Sequence, residues 1–398
     1  MIERSRFLFA LGASAVAPAL LGASNASTAL EPLENALVLS GGGARGAYEA
    51  GLIGCLAAIA GVSDGIPLRP YDFVCGTSIG ALNGFCVATA QYSKLKELWY
   101  GISGQHVVKI KSQFAPLTDP QSGLIERAAA AVSVAGLASD ERALLQNQPV
   151  FDWIVRNVDP ATPLVAPLVW AVTNLTLQRP EYFYLRVKNS GQELPERVTQ
   201  GLKLTLGPHT IVREATPDLL HRALFASAAL PLAFDPVQMP GVDGSICSYC
   251  DGGVASNSPV GVAHAVAKKA DVVLLDPPFE PETSYADAIE IALGVFGTMQ
   301  RKILEGEMRA VFFQSIGKRS FDRLSPAEIA RVTKDQNLMV AFMENVHATD
   351  LRYIRPEKTL PVSVGGFNDQ VGIGKAYRIG WEDVGRGFQP YGWETFEL

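Results

Sequence analysis

The feature that most constrains the fold is an apolar segment that ends in Gly76-Thr77-Ser78-Ile79-Gly80. The Gly-x-Ser-x-Gly pattern is typical of a sharp turn from a strand into a helix, with a nucleophilic serine at its apex. Side chains at positions 76 and 80 would collide with the neighbouring strand and helix, and the serine backbone would be strained. We predict Ser78 at a helix N-terminus, where N–H groups favour negative charge. A glycine-rich turn that only packs tightly would leave the same pattern, so the interpretation needs support elsewhere.

A second glycine-rich turn precedes the first. A short buried strand, Ala36–Leu39, leads into Gly41-Gly42-Gly43-Ala44-Arg45-Gly46, and an apolar helix follows. Backbone amides in such a turn can hold an anion. A dinucleotide site would also need an acidic residue at the end of the next strand, but Asp64 lies in a loop and that strand ends at Ser78. An oxyanion hole made by the glycine amides at 41–43 fits the pattern better.

The third stretch is Asp251-Gly252-Gly253, a sharp turn that exposes one carboxylate. Ser258-Pro259 can then cap and start a helix through Ala270, and a strand follows from Asp271. Strands and helices alternate through this region, as in a parallel sheet with helices on both faces. The predicted class is therefore α/β, with three α/β/α layers around a mainly parallel central sheet.

Beyond residue 276 the pattern changes. Residues 286–311 and 326–346 have the apolar spacing of two amphipathic helices, and residues 351–356 resemble a strand. We predict a catalytic domain over 36–276 and a mostly helical extension over 277–398 that packs on it.

Residues 1–29 differ from the rest of the chain. Arg4 and Arg6 precede an apolar run from Phe7 to Ala17, and small polar residues follow. This order is typical of a secretory signal peptide, so we expect a periplasmic or secreted protein, with peripheral membrane attachment as an option. A membrane-anchoring segment remains an alternative interpretation of the same residues.

The composition narrows the classes of partner. A content of 48% hydrophobic and 19% charged residues describes a globular chain, and the net charge is −6. This charge argues against nucleic acid as a partner and against electrostatic attachment to anionic lipid. No later run is long enough to span a membrane.

No acidic cluster indicates a calcium loop, and we predict neither a metal nor another cofactor. Cys247 and Cys250 lack the second pair of a zinc site, but a local disulfide between them is an open alternative.

The three motifs, in this order, resemble the patatin-like phospholipase family over residues 36–276. Ala226–Pro231 and Val254–Pro259 support the resemblance. Members of this family hydrolyse acyl esters of lipids with a serine–aspartate dyad and no histidine. The resemblance implies that Ser78 is the nucleophile and Asp251 its base. It also implies that the oxyanion hole and the turns depend on glycines, namely Gly41, Gly42 and Gly43 for the hole and Gly46, Gly76, Gly80, Gly252 and Gly253 for the turns.

The histidines agree with a dyad. A hydrolase triad needs a histidine on a loop late in the chain, and the best candidate of the five, His264, falls within a predicted helix. We interpret it as structural. Arg45 can either fix the glycine turn or meet a lipid phosphate, and we favour the structural role.

The leading hypothesis is an exported lipid acyl hydrolase of the phospholipase A or lysophospholipase type. Its substrate would be a lipid ester presented at a membrane or micelle surface. An esterase or acyltransferase acting on a short or non-lipid acyl group is the alternative within enzymes. A non-catalytic protein that binds a nucleotide or another anion in the glycine turn is the alternative from a different class.

Overall fold

The computed structural model describes residues 32–107, 109–112, 114, 143–187, 194–207, 209–277, 288–333, 343, 346–392 and 395. The predicted signal peptide, residues 1–29, lies outside the described residues. Ten strands belong to one sheet: β1 Leu33–Leu39, β2 Phe73–Thr77, β3 Leu168–Asn174, β4 Arg179–Leu185, β5 Ile211–Glu214, β6 Val237–Pro240, β7 Ile246–Asp251, β8 Ala267–Val273, β9 Asp350–Ile354 and β10 Gln389–Pro390.

The helices of the described residues lie between these strands and after them. They are α1 Gly46–Ala60, α2 Ile79–Ala88, α3 Tyr92–Gly101, α4 Gly104–Val107, α5 Asn147–Asn157, α6 Leu194–Leu206, α7 Pro217–Ala228, α8 Val260–Val266, α9 Ala288–Phe321, α10 Pro326–Thr333 and α11 Gln370–Asp383. No helix among the described residues combines the length and the apolar character needed to cross a membrane.

The centre of the sheet is parallel. The strand order is β10-β9-β8-β1-β2-β3-β4-β5, and the five strands from β9 to β3 run in one direction. The pairs β3–β4, β3–β7, β6–β7 and β9–β10 are antiparallel. The carboxyl ends of β1, β2 and β8 therefore meet at one edge, called the carboxyl edge below. The predicted α/β class with a mainly parallel sheet is confirmed.

Two apolar cores cover the two faces of the sheet. On β1, Leu37 and Leu39 face one core, and Ala36 and Val38 face the other, because successive strand residues point to opposite faces. The first core takes apolar side chains from α1, α2, α3, α5, α7 and α11. The second takes them from α6, α8 and α9. The molecule therefore has the predicted three layers.

The C-terminal region contributes both helices and strands. The predicted helical character is confirmed by α9 and α11, but β9 and β10 also extend the central sheet beside β8. Helix α11 crosses α1 at two glycines: a β-carbon at Gly51 would overlap the carbonyl of Tyr377, and one at Gly380 would overlap that of Tyr48. The helices approach closely because neither glycine carries a side chain.

Several predicted boundaries are wrong. The helix expected to run to Ala270 ends at Val266, and strand β8 begins at Ala267. Strand β1 begins at Leu33, earlier than predicted, and pairs with Ala267. This ladder holds residues 267–270 in the sheet. The helix predicted over 286–311 continues to Phe321, and most of the one predicted over 326–346 beyond Thr333 lies outside the described residues.

Candidate active site

Ser78 lies at the predicted turn between β2 and α2, with φ +55° and ψ −125°. A β-carbon at Gly76 would overlap the carbonyl of Gly80, and one at Gly80 would overlap the carbonyl of Leu39. Both glycines are therefore required by close backbone approach, as the sequence predicts. Ser78 is the first residue before α2, and it is 7% exposed.

A second serine holds the Ser78 turn in place. The backbone N–H of Ser78 donates to Ser227 Oγ over 2.8 Å, and the Ser227 hydroxyl donates to the carbonyl of Ala171 over 2.7 Å. Ser227 is fully buried on α7. This contact fixes the strained backbone at Ser78 to both β3 and α7, and it explains why the stretch from Ala226 to Pro231 accompanies the motif.

Asp251 is the last residue of β7, and it pairs with Val172 of β3 beside the carboxyl end of β2. Its side chain is 1% exposed, and the Ser78 hydroxyl lies close enough to lower the pKa of the carboxylate. The N–H of Gly253 donates to Asp251 Oδ1 over 2.7 Å. The structure therefore brings together two side chains that are 173 residues apart in the sequence.

The environment of Asp251 makes its carboxylate more basic. Burial raises its pKa from 3.8 to about 7, although the hydrogen bonds from Ser78 and Gly253 act in the opposite direction. Desolvation dominates because a charged carboxylate loses its hydration in a buried site. Near neutral pH this group can therefore both accept and release a proton.

The glycine turn after β1 lies against Ser78. A β-carbon at Gly41 would be 3.2 Å from Ser78 Cβ, so only a glycine fits here without displacing the serine. The Gly41 N–H donates to the carbonyl of Asn257 over 3.0 Å and is thus already paired. Within the described residues, the N–H groups of Gly42 and Gly43 have no hydrogen-bond acceptor. Of the three predicted oxyanion-hole amides, these two are available to a ligand.

The turn is anchored to the C-terminal part of the chain. Gly43 has φ +56°, and a β-carbon there would overlap the carbonyl oxygen of Val364. The Ala44 N–H donates to the same oxygen over 2.9 Å. Arg45 Nη1 forms an ion pair with Asp276 at 2.5 Å, beyond the end of β8. Arg45 thus has the turn-fixing contact that the sequence analysis favours.

A buried polar network beneath the turn is absent from the sequence predictions. Glu49 on α1 is fully buried and accepts from the Ser40 N–H over 2.8 Å and from Asn83 Nδ2 over 2.9 Å. Asn83 Oδ1 accepts from Trp99 Nε1 over 2.9 Å. Burial raises the pKa of Glu49 to about 8. Glu49 therefore ties the base of the glycine turn to α2, the helix that follows the nucleophile.

Asn257 is a second residue that the sequence analysis does not single out for a role. It is 3% exposed, and its Oδ1 is buried without a hydrogen-bond partner. This oxygen lies 2.5 Å from the position of a β-carbon on Gly41 and 2.8 Å from that of one on Gly253. Asn257 thus separates the glycine turn from the Asp-Gly-Gly turn, next to both Ser78 and Asp251.

Helix α9 covers the Asp251 side of the site. A β-carbon at Gly253 would overlap Gln300 Nε2 and would lie 2.9 Å from Asp251 Oδ1. About two turns further along the same face of α9, Glu307 Oε1 accepts from Ser256 Oγ over 2.7 Å. The C-terminal region therefore helps to bury the carboxylate.

Among the described residues, the histidine side chains His221, His264 and His347 form hydrogen bonds with groups other than Ser78 and Asp251. Because the Thr349 hydroxyl donates to the carbonyl of Ala267, it accepts a hydrogen bond from His264 Nδ1 over 2.9 Å. Burial lowers the pKa of His264 to about 3, so this ring is neutral. His221 and His347 bond through Nε2 to the carbonyls of Val158 and Ala267. These contacts are structural, as interpreted for His264.

Cys247 and Cys250 are free thiols on β7. Residues three apart in a strand point to opposite faces, so these two side chains cannot bridge one another. Among the described residues, no group of three histidine, cysteine or acidic side chains could hold a metal ion.

The arrangement suits attack on a carbonyl carbon. A hydroxyl lies beside a carboxylate of raised pKa, and the carboxylate can take the hydroxyl proton as the oxygen forms a bond to carbon. Two amides without acceptors lie in the adjacent turn, and such donors stabilise a developing oxyanion.

The comparisons with known proteins agree with the motifs. The sequence profile of the family described as patatin-like phospholipase matches residues 37–264, which is more than half of the chain and includes all three motifs. No curated protein matches the sequence. Among solved structures, the crystal structure of VipD from Legionella pneumophila superimposes with a TM-score of 0.34 at 14% sequence identity. The superposition covers 89% of this chain and 66% of the VipD chain, so this chain spans slightly less than two thirds of that one.

Proposed function

Because the chain belongs to the patatin-like phospholipase family, we propose that it is a serine hydrolase that cleaves fatty-acyl esters of phospholipids or lysophospholipids. The observation that carries the proposal is the position of the Ser78 hydroxyl beside the buried Asp251 carboxylate, close enough to lower the pKa of that group. It supplies the nucleophile and base that ester hydrolysis requires, and the family supplies the lipid substrate class.

In the first step, Ser78 Oγ attacks the ester carbonyl while its proton moves to the Asp251 carboxylate. The carbonyl oxygen gains a negative charge, which the N–H groups of Gly42 and Gly43 would stabilise. Each donor of this kind contributes roughly 3 kcal/mol to the transition state. The tetrahedral intermediate then expels the lipid alcohol, which takes the proton from Asp251, and an acyl-Ser78 ester remains.

In the second step, water replaces the alcohol. Asp251 accepts a proton from the water as the oxygen attacks the acyl carbon, and collapse of the intermediate releases the fatty acid and returns a proton to Ser78. An ordinary carboxylate is a weak base, and a general base works best when its pKa lies near the operating pH. The raised pKa of Asp251 supports this assignment.

The strain at Ser78 favours catalysis over simple anion binding. A residue other than glycine at positive φ is costly unless the surrounding structure enforces it. A turn that only bound an anion through its amides would not need a serine in that conformation, nor a buried carboxylate beside it.

The test is a panel of phospholipids, lysophospholipids, neutral lipids and p-nitrophenyl esters, with released fatty acids measured by mass spectrometry. Ser78→Ala and Asp251→Asn should each lower hydrolysis by at least a thousandfold, while His264→Ala should retain most activity per folded molecule. A fluorophosphonate probe should label wild type and not Ser78→Ala. Activity on short or non-lipid esters alone would favour the esterase alternative, and absence of labelling would favour a non-catalytic protein.

We further propose export, which the order of basic, apolar and small residues over 1–29 supports. Expression of the full chain followed by fractionation and N-terminal sequencing tests this. A processed N-terminus near Ala26 or Ala29 is expected, and an unprocessed cytoplasmic chain would contradict it.

A further inference from the structure

Two turns stand beyond the carboxyl edge of the sheet, on the side where Ser78 lies. One joins β3 to β4, and the other joins β6 to β7. Strand β7 pairs only with the last three residues of β3, Val172 to Asn174, so the rest of the β6–β7 hairpin projects past the edge. Asp251 lies at the inner end of this hairpin, and Ile246 lies at the outer end of the same strand.

The outer ends of both turns carry exposed apolar side chains. Val242 and Ile246 on the hairpin are 69% and 64% exposed. Leu175 and Leu177 on the neighbouring turn are 40% and 44% exposed. We call these four side chains the apolar rim. Single exposed apolar side chains are common on protein surfaces, whereas several on adjoining turns mark a candidate interaction surface.

The rim is held in a defined shape. The Leu175 N–H donates to the carbonyl of Ser248 over 2.8 Å, and the Ser248 N–H donates to Thr176 Oγ1 over 2.9 Å. The hairpin turn is closed by the Gly241 N–H, which donates to the carbonyl of Ser245 over 2.6 Å. The two turns are therefore hydrogen-bonded to one another.

Charge at the rim is low. Residues 175–178 and 240–248 contain a single charged side chain, Asp243. Two arginines border these turns, Arg179 at the start of β4 and Arg213, which donates to the carbonyl of Pro240, and both are only partly exposed. Its carboxylate accepts from the N–H and the hydroxyl of Ser245, so it is paired within the turn. The turns carry no lysine or arginine of their own and the net charge of the chain is −6, which argues against attraction to anionic headgroups as the main force. Insertion of apolar side chains into the lipid is therefore the main force that we expect.

The length of the hairpin matches that of an acyl chain. Five residue steps separate Ile246 from Asp251, about 17 Å at the rise of an extended strand. One leaflet of the hydrocarbon core is about 15 Å thick. An acyl chain whose ester carbonyl lies at Ser78 can therefore reach the level of the rim.

Two further exposed apolar side chains lie at the same edge. Leu232, 61% exposed, follows α7 in the loop whose Ala229 carbonyl accepts the Asp251 N–H. Met299, 49% exposed, precedes Gln300 on α9.

We propose that the apolar rim inserts into the hydrocarbon layer of a zwitterionic lipid surface and delivers lipid esters to Ser78. This inference rests on the proposed function and names the form in which that site meets its substrate. A protein partner fits less well, because four side chains on two narrow turns fall far short of the roughly 800 Å² per partner that a stable interface buries.

The test compares two matched double variants. Val242→Asp with Ile246→Asp places charge on the rim. Ile59→Asp with Ile66→Asp places the same charge at exposed positions, 72% and 50%, near the end of α1 and in the loop after it. Helix α1 runs from the carboxyl edge to the opposite edge, so these control residues lie far from the site. None of the four residues belongs to the catalytic machinery.

Binding to phosphatidylcholine vesicles is measured by co-sedimentation, and kcat/KM is measured with soluble p-nitrophenyl butyrate and with the vesicles. We expect the rim variant to lose vesicle binding and vesicle hydrolysis by roughly a hundredfold, with kcat/KM for the soluble ester within about twofold of wild type. The control variant should behave as wild type in all three measurements.

Equal vesicle binding by wild type and the rim variant would overturn the proposal, as would absence of vesicle binding by wild type. A rim variant that dissociates a wild-type dimer, measured by size-exclusion chromatography with light scattering, would reassign the rim to a second copy of the chain. Hydrolysis of the soluble ester and fluorophosphonate labelling report on the catalytic proposal separately, so failure of either can be recognised.

Discussion

Replacing Asp251 by asparagine should abolish hydrolysis and, at alkaline pH, stabilise the fold relative to wild type. The wild-type carboxyl group is buried, and burial raises its pKa from 3.8 to about 7. Asparagine has nearly the same shape, keeps an oxygen that can accept from the Gly253 N–H, and does not titrate. The variant therefore removes the cost of ionising a buried group and preserves most of the packing.

The magnitude follows from the linkage between protonation and folding. The unfolded chain releases this proton near pH 3.8 and the folded protein near pH 7. Between these pH values the folded state binds more protons than the unfolded state, so the free energy of unfolding falls by about 1.4 kcal/mol for each unit by which the pH rises. The full effect is about 4 kcal/mol above pH 8 and vanishes below about pH 3. From pH 5 to 8.5, wild type should lose about 3 kcal/mol relative to the variant.

Urea unfolding of both proteins at pH 5, 6.5 and 8.5 measures this difference. Glu49 and Glu307, whose pKa values burial raises to about 8, titrate in both proteins, so their contributions cancel in the comparison. Ser78→Ala provides a second control, in which the Asp251 carboxyl group is kept and still titrates. It removes a hydrogen bond to the ionised carboxylate, so the pKa of Asp251 should rise and the transition should move to higher pH.

A difference in unfolding free energy that stays constant from pH 5 to 8.5 would refute the reasoning, because Asp251 would then ionise normally in the folded protein. The pH dependence of kcat/KM for a soluble ester is an independent measurement of the same group. A base with a pKa of about 7 predicts that kcat/KM at pH 5 is about 1% of its alkaline plateau. A plateau that extends down to pH 5 would contradict the assignment of Asp251 as the base.

Two further substitutions test the supports of the site. Gly43→Ala should lower the melting temperature and reduce kcat/KM at least tenfold, because the added β-carbon overlaps the Val364 carbonyl. Gly61→Ala is the matched control, since Gly61 also has a positive φ (+64°) but has open space around the position of a β-carbon. It should lower the stability of the protein without affecting kcat. Asn257→Ala should leave the melting temperature unchanged or raise it, since its Oδ1 is buried without a partner. It should still lower kcat about tenfold, because the glycine turn and the Asp-Gly-Gly turn lose the side chain that separates them. Unchanged kcat in Asn257→Ala, measured with a soluble ester, would remove Asn257 from the site.

The chemical groups of the site could be predicted from the sequence because each depends on a local backbone requirement. The turn at Ser78 needs Gly76 and Gly80 wherever the rest of the chain lies, and the structure shows the backbone contacts that forbid larger residues. The same holds at Gly43, where a positive φ and a carbonyl contact coincide. Such constraints leave a fixed spacing in the sequence, so the motifs could be found without knowledge of the fold.

The supports of the site left no such pattern. In the sequence, Glu49 is a single charged residue in an apolar helix. Only the packing of α1 against α2 in the structure shows that Glu49 joins Ser40 to Asn83. The prediction of where the helix after Pro259 ends was wrong for a related reason. The helical pattern through Ala270 is a local preference, whereas pairing of β8 with β1 from Leu33 onward decides the boundary.

The pKa of Asp251 shows why motifs alone do not determine the chemistry. The Asp-Gly-Gly turn fixes the position of the carboxylate, but a carboxylate in water would ionise near pH 4 and would be a poor base for a serine hydroxyl. Its basicity comes from burial, and part of that burial is supplied by Gln300 of α9, about fifty residues further along the chain. Helix α9 in turn packs on the sheet that β9 extends. We therefore expect the C-terminal region to be needed to make Asp251 a base as well as to complete the fold.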